Sequence, residues 1–397
     1  MRIMHISTRL ILGGSQENTL LSCEGQADHG NTVSLVFGPI YGPEGSMLER
    51  ADAHGGIEII QTHNLVRELS PLKDYRCYID LKKIITDWKP DVVHTHSSKA
   101  GIIGRAAAWK LRVPCVVHTI HGLAFHPYQT KWRNAIYIAA ERYAAKRCHK
   151  IICVADAMRH QALAQQIGTS NQYITVHSGM ETDQFTNSAR SRKQVREELG
   201  FSDDDFVLGT IARLAELKGH DDLLDALSPT MHQRPNLKLL WIGDGWWRDR
   251  LLKRVSNFAI EDNVVPTGLV QPQKIGEYLQ AMDALVHPSY REGLPRAVPQ
   301  ALLSKVPVIA YDVDGAKEVC IDGETGRLVK VGDLAALRNA VIWMMDHPKE
   351  KAQMGINGCK MCLQMFASHK MVDKLQEIYA DVLSKQSGET HSNSAGA

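Results

Sequence analysis

The apolar positions of the chain come in short runs rich in Val and Ile, which alternate with longer amphipathic segments. Such runs are typical of parallel strands buried on both faces, and the amphipathic segments are typical of the helices that cover them. The alternation predicts an α/β fold. The predicted strands are 2–7, 32–37, 57–61, 91–95, 115–119, 150–154 and 173–176 in the first half, and 206–212, 237–242, 264–267, 284–287, 306–311 and 326–329 in the second.

A polar stretch between residues 185 and 203 separates the two series of strands. Because single hydrophobic cores stop growing at about 250 to 300 residues, a chain of 397 residues with such a break is expected to form two domains. We predict a doubly wound sheet in each half. The expected segments are an N-terminal domain at 1–185, a linker at 186–203, a second domain at 204–366, a closing helix at 367–385 and a flexible tail at 386–397.

Composition and charge narrow the class of protein. Hydrophobic residues make up 44% and charged residues 23% of the chain, as in ordinary globular proteins, which excludes a disordered or disulfide-stapled chain. The net charge of +2 argues against a nucleic-acid binder. The eight cysteines are scattered and no run of 18 apolar residues occurs, so the sequence predicts a cytoplasmic protein with free thiols.

Two loops that follow predicted strands carry candidate phosphate ligands. Gly13 and Gly14 precede a helix whose backbone amides suit a phosphate, although a plain tight turn explains the pair equally well. Arg213 and Lys218 follow the strand that opens the second half and can converge on one pyrophosphate, Arg by a bidentate fork and Lys as a point charge. The alternative is two solvated charges. Ligands of open α/β sheets bind beyond the carboxyl ends of the strands, which favours the pyrophosphate site.

Residues 287–319 carry the most specific pattern. An apolar strand ends in a turn, Glu292 and Gly293 follow, and a helix is predicted to start at Pro295. This arrangement resembles the retaining glycosyltransferases of family GT4, whose C-terminal domain carries two glutamates separated by seven residues; here the two positions are Glu292 and Gln300. The likeness extends over nearly the whole chain, through the texts RLILGGSQENT, PDVVHTHSSKAGIIGR, HTIHG, KIICVADAM, HSGMETDQF, TIARLAELKGH, WIGDG, TGL, HPSYREGLP and DGETGRLV.

The resemblance implies a GT-B fold, in which two Rossmann-like domains face across a cleft, with the acceptor bound mainly by the first and a nucleotide sugar by the second. It implies that Glu292 binds hydroxyls of the donor sugar. The other donor-binding residues that it suggests are Gly13, Gly14, Gly243, Gly293, Leu294 and Gln300. Gly243 also fits a plain tight turn. Trp246 and Trp247 beyond it are expected to pack against the next helix, with stacking on a nucleotide base as the alternative.

Two residues depart from the family pattern. In the family the second glutamate accepts hydrogen bonds from both ribose hydroxyls of the nucleotide, and Gln300 keeps an acceptor oxygen but loses the charge. We therefore expect weaker ribose binding. Pro299 is expected to remove a helical hydrogen bond and to kink the turn that carries Gln300.

In the first half of the chain, candidate donor-binding and acceptor-binding residues lie where predicted strands end. His121 occupies the position of the family's active-site histidine, which contacts the donor sugar, and it precedes a glycine that permits close approach of a ligand. A packed or exposed histidine of no special role is the alternative. His96, Ser98 and Lys99 end a neighbouring strand and are candidates for binding the acceptor, with a plain polar loop as the other interpretation.

Residues 101–150 contain nine basic side chains and one acid, Glu141, so this segment carries +8 and the remainder −6. A positive face suits an anionic membrane or a lipid-pyrophosphate acceptor. Ordinary solvated helix faces explain the same charges.

Together these observations predict a cytoplasmic, retaining glycosyltransferase that moves a hexose or N-acetylhexosamine from a UDP-linked sugar to a sugar or lipid-linked acceptor. Arg213, Lys218, Glu292 and His121 are the predicted catalytic residues. Because the two cations would neutralise the leaving diphosphate, neither a metal nor a cofactor is expected. The alternatives are a nucleotide-sugar epimerase and a catalytically silent subunit that binds sugar nucleotides.

Overall fold

The computed structural model describes residues 1–41 and 45–394, with side chains as far as residue 386. The chain divides into two compact units. The first unit combines residues 1–180 with the described residues from 368 onward, and the second runs from Glu181 to Ala367. Each unit is a parallel sheet with helices, so the predicted α/β class is confirmed.

The first unit has a seven-stranded sheet in the order β3-β2-β1-β4-β5-β6-β7, and all its strand pairs are parallel. Its strands are β1 Arg2–Ser7, β2 Thr32–Phe37, β3 Ile57–Gln61, β4 Val92–His96, β5 Cys115–Ile120, β6 Lys150–Cys153 and β7 Tyr173–Thr175. Its helices are α1 Gly14–Asp28, α2 Leu48–Ala53, α3 Pro71–Trp88, α4 Ser98–Lys110, α5 Lys131–Ala145, α6 Asp156–Ala164 and α15 Ser368–Ser394. The strand order reverses between β1 and β4, where open α/β sheets bind ligands.

The second unit has a six-stranded parallel sheet in the order β10-β9-β8-β11-β12-β13. Its strands are β8 Phe206–Ile211, β9 Leu237–Ile242, β10 Val264–Gly268, β11 Ala284–His287, β12 Val308–Tyr311 and β13 Gly326–Val329. Its helices are α7 Asp183–Thr186, α8 Arg192–Leu199, α9 His220–Gln233, α10 Arg248–Asn257, α11 Ile275–Gln280, α12 Ala297–Leu303, α13 Leu334–Asp346 and α14 Pro348–Met365. The order reverses between β8 and β11.

Both sheets are buried on their helix-covered faces. In the second unit Trp241, Leu208 and Ile309 lie in one fully buried cluster, which fixes the strands whose ends carry the site. In the first unit Val372 and Tyr379 of α15 pack into the core beside β5. The predicted strands are all present, with ends within two residues of those expected.

Residues 186–203 are not a linker. Ser191 begins α8 with a capping box, in which its hydroxyl accepts from Gln194 N and its own backbone N–H donates to Gln194 Oε1 at 2.9 Å. Arg196, which is 2% exposed, donates to Asp283 Oδ2 at 2.7 Å. A buried ion pair of this kind makes α8 part of the second unit, and the border between the units falls after Met180.

The C-terminal segment also differs from expectation. Helix α15 continues to Ser394, so the flexible tail expected from residue 386 is helical over residues 386–394, and residues 395–397 lie outside the described chain. The eight cysteines are free and buried, as expected. Among the described residues no helix is both long and apolar enough to cross a membrane.

Candidate functional site

In the second unit, three side chains meet at the carboxyl ends of β8 and β11. Glu292 Oε1 lies 2.5 Å from Lys218 Nζ and 3.0 Å from His287 Nε2. The backbone N–H of Glu292 donates to Asp314 Oδ2 at 2.8 Å. Burial raises the pKa of the Glu292 carboxyl, but Lys218 and His287 lower it by more, so the pKa lies well below its usual value. Glu292 is therefore ionised at neutral pH.

Arg213 is exposed on the loop that follows β8, and the backbone of this loop is tightly held. Leu214 N donates to Asp244 O at 3.0 Å, and Trp247 N donates to Leu214 O at 3.0 Å. The Arg213 guanidinium lies 5.7 Å from the centre of the Trp246 ring. A fixed backbone with an exposed guanidinium leaves the cation available for a ligand.

The buried side chain of His220 is hydrogen-bonded to the loop that carries Arg213. Trp241 Nε1 donates to His220 Nδ1 at 2.9 Å, and His220 Nε2 donates to Arg213 O at 3.0 Å. An indole N–H can only donate and a carbonyl can only accept, so these partners fix the tautomer of His220. Burial lowers the pKa of His220 to about 4, which keeps the ring neutral.

Gly243 has a structural reason to be glycine. Its φ is 134°, and a Cβ there would lie 2.1 Å from Ala212 O. The turn alternative explains this residue without a ligand. The two tryptophans beyond it differ: Trp247 packs against the core, as expected, whereas Trp246 is 71% exposed and lies beside Arg213.

The helix that carries Gln300 is not distorted by Pro299. Helix α12 starts at Ala297 and not at Pro295, so Pro299 is its third residue, where a backbone N–H has no partner inside the helix. The expected kink is therefore absent. Gln300 alone among the seven residues of α12 is not buried, while Leu294 before the helix is 6% exposed. Gly293 O accepts from Gly315 N at 3.2 Å.

In the first unit, Gly13 and Gly14 lie at the start of α1. Gly13 is exposed and extended, with φ of 174°, and Gly14 is the first helical residue. Neither position needs the left-handed conformation on which the tight-turn alternative depended. The exposed start of a 15-residue helix favours an anion.

His121 follows β5 and is half-buried. Its Nε2 lies 3.1 Å from His96 Nδ1, and His96 Nε2 lies 2.9 Å from His5 Nδ1. The rings of His96 and His121 are stacked, with centres 5.3 Å apart. A Cβ added at Gly122 would meet open space, so a ligand can approach His121 there.

The neighbouring acceptor candidates have partners within the protein. His96 is 1% exposed and bonded through both ring nitrogens to other histidines, so its ring is buried beside His121. Lys99 Nζ lies 2.5 Å from Asp74 Oδ1 and also donates to Glu68 O. Ser98 is half-buried at the start of α4.

Sequence reasoning missed His287, Asp314 and His220, which support the cluster of the second unit, and His5 and Gln26, which lie behind His96 and His121 in the first unit. His287 lies only five residues before Glu292. The other partners cited lie 21 to 91 positions apart, so no short motif joins them. The one available signal was that His5, His94, His96 and His118 cluster near strand ends.

Models of two known protein families match this chain. Residues 191–361 match the family described as glycosyl transferases group 1, and residues 12–184 match glycosyltransferase family 4. The chain belongs to the GT4-type glycosyltransferases. The two matched ranges lie in both units, and the positions of Glu292, Lys218 and His121 fall within them.

Relatives and solved structures agree with this assignment. The chain is 26% identical, over 96% of its length and 97% of the other, to UDP-Gal:alpha-D-GlcNAc-diphosphoundecaprenol alpha-1,3-galactosyltransferase of Escherichia coli. It is 25% identical, over 84% of its length and 90% of the other, to the capsular polysaccharide biosynthesis glycosyltransferase CapM of Staphylococcus aureus. The structure of Anabaena HepE in complex with UDP-glucose matches with a TM-score of 0.82 and 19% identity, over 96% of this chain and all of that one. This structural likeness establishes the GT-B fold class.

Proposed function

We propose that this glycosyltransferase moves a hexose or N-acetylhexosamine, with retention of the anomeric configuration, from a UDP-linked sugar to a lipid-linked sugar acceptor in cell-surface glycan synthesis. The observation that carries the proposal is the cluster of Lys218, Glu292 and His287 at the strand-order reversal of the second unit. It offers a cation for a diphosphate and an ionised carboxylate for sugar hydroxyls within one hydrogen-bond length of each other.

The donor diphosphate is bound by Arg213 and Lys218 in this proposal. Arg213 is exposed on a rigid loop and supplies a bidentate fork, while Lys218 supplies a point charge. Glu292 accepts hydrogen bonds from hydroxyls of the transferred sugar, because its carboxylate is ionised and its second oxygen is not engaged by Lys218. On the second unit Gln300 accepts from the ribose. On the first unit the backbone amides at Gly13 and Gly14 are free to bind an anion at the start of α1.

The chemistry then needs no enzymic nucleophile. The bond between the anomeric carbon and the phosphate oxygen breaks, and the acceptor hydroxyl forms its bond to that carbon on the same face. The departing phosphate oxygen takes the proton of the acceptor hydroxyl. Arg213 and Lys218 stabilise the charge that develops on the leaving diphosphate, which is the role of a metal in other transferases. Glu292, held ionised, has no proton to give.

The lipid-linked acceptor is supported by the surface of the first unit. Helix α5 exposes Trp132, Ile136 and Tyr143 on one face, with exposed fractions of 62%, 52% and 48%. Arg133 lies 5.3 Å from the Trp132 ring, and Arg147 lies 3.6 Å from the Tyr143 ring. Aromatic side chains on one helix face, with basic side chains beside them, suit the interface of an anionic membrane.

A second apolar face lies on α3, where Leu72, Tyr75 and Ile79 are 61%, 65% and 45% exposed. A groove of about 460 Å³ is lined by residues 67–69 before α3 and by four residues of α5, Trp132, Arg133, Ile136 and Tyr137. Within the basic segment 101–150, Arg105 is buried against Glu141 at 2.7 Å, so the other eight cations are not neutralised by an acid of that segment. This surface is where we propose that the protein meets the membrane.

The comparisons support the substrate classes. The Escherichia coli relative is named for a UDP-galactose donor and a diphosphoundecaprenol-linked acceptor, and the Anabaena structure holds UDP-glucose. Both names fit a diphosphate site built from Arg213 and Lys218.

One experiment tests the proposal. The purified protein is mixed with a panel of nucleotide sugars and thermal unfolding is recorded; the donor should raise the midpoint. The stabilising donor is then incubated with an undecaprenyl-diphosphate sugar in mixed micelles, and product is separated from free sugar. Transfer supports the proposal. Binding of a nucleotide sugar with neither hydrolysis nor transfer to any lipid-linked acceptor would indicate the catalytically silent subunit.

Contact of α5 with a membrane is tested separately by vesicle sedimentation. Trp132→Ser together with Ile136→Ser should reduce sedimentation with vesicles containing phosphatidylglycerol, while Trp246→Ser, another exposed tryptophan, should not. Equal sedimentation of the two variants and the wild type would contradict the membrane surface.

A further inference from the structure

In the second unit, the loop that carries Lys218 and the loop that carries Glu292 are held together by more than their ion pair. The backbone N–H of Tyr290 donates to Leu217 O at 2.9 Å. The hydroxyl of Tyr290 donates to Asp222 Oδ2 at 2.6 Å. Tyr290 lies two residues before Glu292, and Leu217 and Asp222 lie on either side of Lys218 in the chain. The tyrosine therefore joins the same two loops as the ion pair.

The backbones of the two loops also lie in close contact. Gly219 is left-handed, with φ of 69°, and a Cβ there would lie 1.9 Å from Pro288 O. Leu217 has φ of 63°, a conformation that a leucine rarely adopts and that persists only where its surroundings hold it. Its carbonyl is the one that accepts from Tyr290. The backbone contacts alone thus keep the loops together, and the hydroxyl bond of Tyr290 is an additional constraint.

Asp222 gives this hydroxyl a fixed partner. It lies in the first turn of α9. The same Oδ2 accepts from the hydroxyl of Tyr311 at 2.6 Å, and Tyr311 is 0% exposed on β12. Burial, together with Asp222, raises the pKa of Tyr311, so its hydroxyl keeps its proton. The rings of Tyr290 and Tyr311 meet edge to face, with centres 5.8 Å apart. Tyr290 is therefore tied to a helix and to a strand of the core.

A bound donor would affect the ion pair and the tyrosine bond differently. In the proposed function the diphosphate accepts hydrogen bonds from Lys218. An ammonium group has three N–H donors, so the diphosphate shares them with Glu292 and weakens the ion pair. The bond between Tyr290 and Asp222 does not involve Lys218. It continues to hold the loop of Glu292 when the donor is bound.

We propose that Tyr290 is a positioning residue, whose hydrogen bond to Asp222 keeps Glu292 in place for the hydroxyls of the transferred sugar once Lys218 has engaged the diphosphate. The identity of that ligand rests on the proposed function. Tyr290 acts through Glu292 and not by contact with the substrate.

Hydrogen exchange measures the effect on the loop without any substrate. Tyr290→Phe keeps the ring and the backbone bond to Leu217 but loses the hydroxyl. Because one hydrogen bond is lost, we expect the amides of residues 288–293 to exchange roughly fivefold faster than in the wild type, as read by mass spectrometry. Exchange at the wild-type rate would overturn the proposal whatever the protein's activity.

Kinetics test whether Tyr290 acts through Glu292. Tyr290→Phe should lower kcat by roughly tenfold, because a displaced carboxylate holds the sugar less well, and it should leave the Kd for UDP unchanged, because UDP carries no sugar for Glu292 to bind.

Monodeoxy analogues of the UDP-sugar give the more specific readout. In the wild type, loss of the hydroxyl that Glu292 binds should lower kcat/KM by roughly 100-fold, since bonds to a charged group are strong. In Tyr290→Phe the same analogue should lose no more than roughly tenfold. Discrimination as strong as that of the wild type would show that Glu292 has not been displaced and would contradict the proposal.

Tyr311→Phe is the matched control. It loses a hydroxyl bond to the same oxygen of Asp222, but Tyr311 lies on β12 and outside the loop of Glu292. The variant should have a lower melting temperature, while kcat, discrimination and exchange at residues 288–293 stay as in the wild type. An equal loss of kcat in Tyr311→Phe and Tyr290→Phe would show that disturbing the core around Asp222 is enough. If exchange behaves as expected while the wild type transfers no sugar, the proposed function fails and the positioning of the loop by Tyr290 stands.

Discussion

Lys218 Nζ lies 2.5 Å from Glu292 Oε1, and this pair joins the loops that follow two strands of the second unit. Lys218 follows β8 and Glu292 follows β11, the strands between which the sheet order reverses. His287 donates to the same carboxylate oxygen when its Nε2 carries the hydrogen. In the proposed donor complex, a diphosphate bound by Lys218 would therefore lie next to a carboxylate that is already held in place.

Removal of Arg213 and removal of Lys218 should have the same effect on turnover but different effects on the melting temperature. Arg213→Ala and Lys218→Ala should each lower turnover by roughly 100-fold or more, because leaving-group stabilisation is lost. Arg213 is exposed, so its removal should leave the melting temperature unchanged. Lys218→Ala leaves the Glu292 carboxylate with His287 alone and should also lower the melting temperature. Lys253→Ala, on the exposed side of α10, is the control for loss of a positive charge. Near-wild-type turnover in both site variants would mark Arg213 and Lys218 as ordinary surface charges.

Gln300→Glu should tighten UDP binding. A carboxylate accepts hydrogen bonds from ribose hydroxyls more strongly than a neutral amide oxygen, by roughly 1 kcal/mol, and α12 is regular enough to present it. Titration calorimetry with UDP measures the change. Unchanged or weaker affinity would place position 300 away from the ribose, and Pro299 could not be invoked because it sits in the first turn.

Glu292→Ala should separate binding from transfer. The substitution removes contacts to the sugar but keeps both cations, so transfer should be abolished while UDP binding stays largely intact. Calorimetry and a transfer assay on the same preparation measure the two effects. Loss of UDP affinity in step with turnover would mean that Glu292 only holds the fold.

Stability should fall as the pH falls from about 6.5 to about 4. The folded-state pKa of His220 is about 4, below the ordinary value of 6.5, so the unfolded chain binds more protons in that interval. The stabilising contribution is fully present above pH 6.5 and is lost as the pH falls through the folded pKa. At about 1.4 kcal/mol per pH unit, the free energy of unfolding should be lower by about 3 kcal/mol at pH 4 and by about 2 kcal/mol at pH 5. Denaturant unfolding of the wild type and of His220→Leu at pH 7.5 and 5 measures it, and an equal pH dependence of the two would contradict the buried neutral ring.

Turnover should survive EDTA. Arg213 and Lys218 already supply positive charge to the proposed diphosphate site, so no metal is needed there. Assays with and without chelator, after extensive dialysis, measure this. Loss of turnover that magnesium or manganese restores would assign the leaving-group role to a metal.

The fold could be predicted from the chain because parallel strands buried on both faces read as short apolar runs. Glu292, Lys218 and Arg213 could be placed at one edge because they follow strands that the topology brings together. The residues that hold these side chains in place could not be predicted from the sequence. His5 meets His96, a partner 91 positions away, and Gln26 of α1, which is 21 positions away. The start of α8 was also not predicted. The capping box formed by Ser191 and Gln194 begins a helix within a polar stretch whose composition indicates a linker.

We propose that the protein carries out retaining transfer from a UDP-linked sugar at the Lys218 and Glu292 pair. To test this, the reaction of an α-linked UDP-sugar with a lipid-linked acceptor is followed by proton NMR, and the anomeric coupling of the first product formed is measured. We expect an α-linked product from the wild type and from Lys253→Ala, and none from Glu292→Ala. A β-linked product, or an α-linked product formed at the wild-type rate by Glu292→Ala, would contradict it.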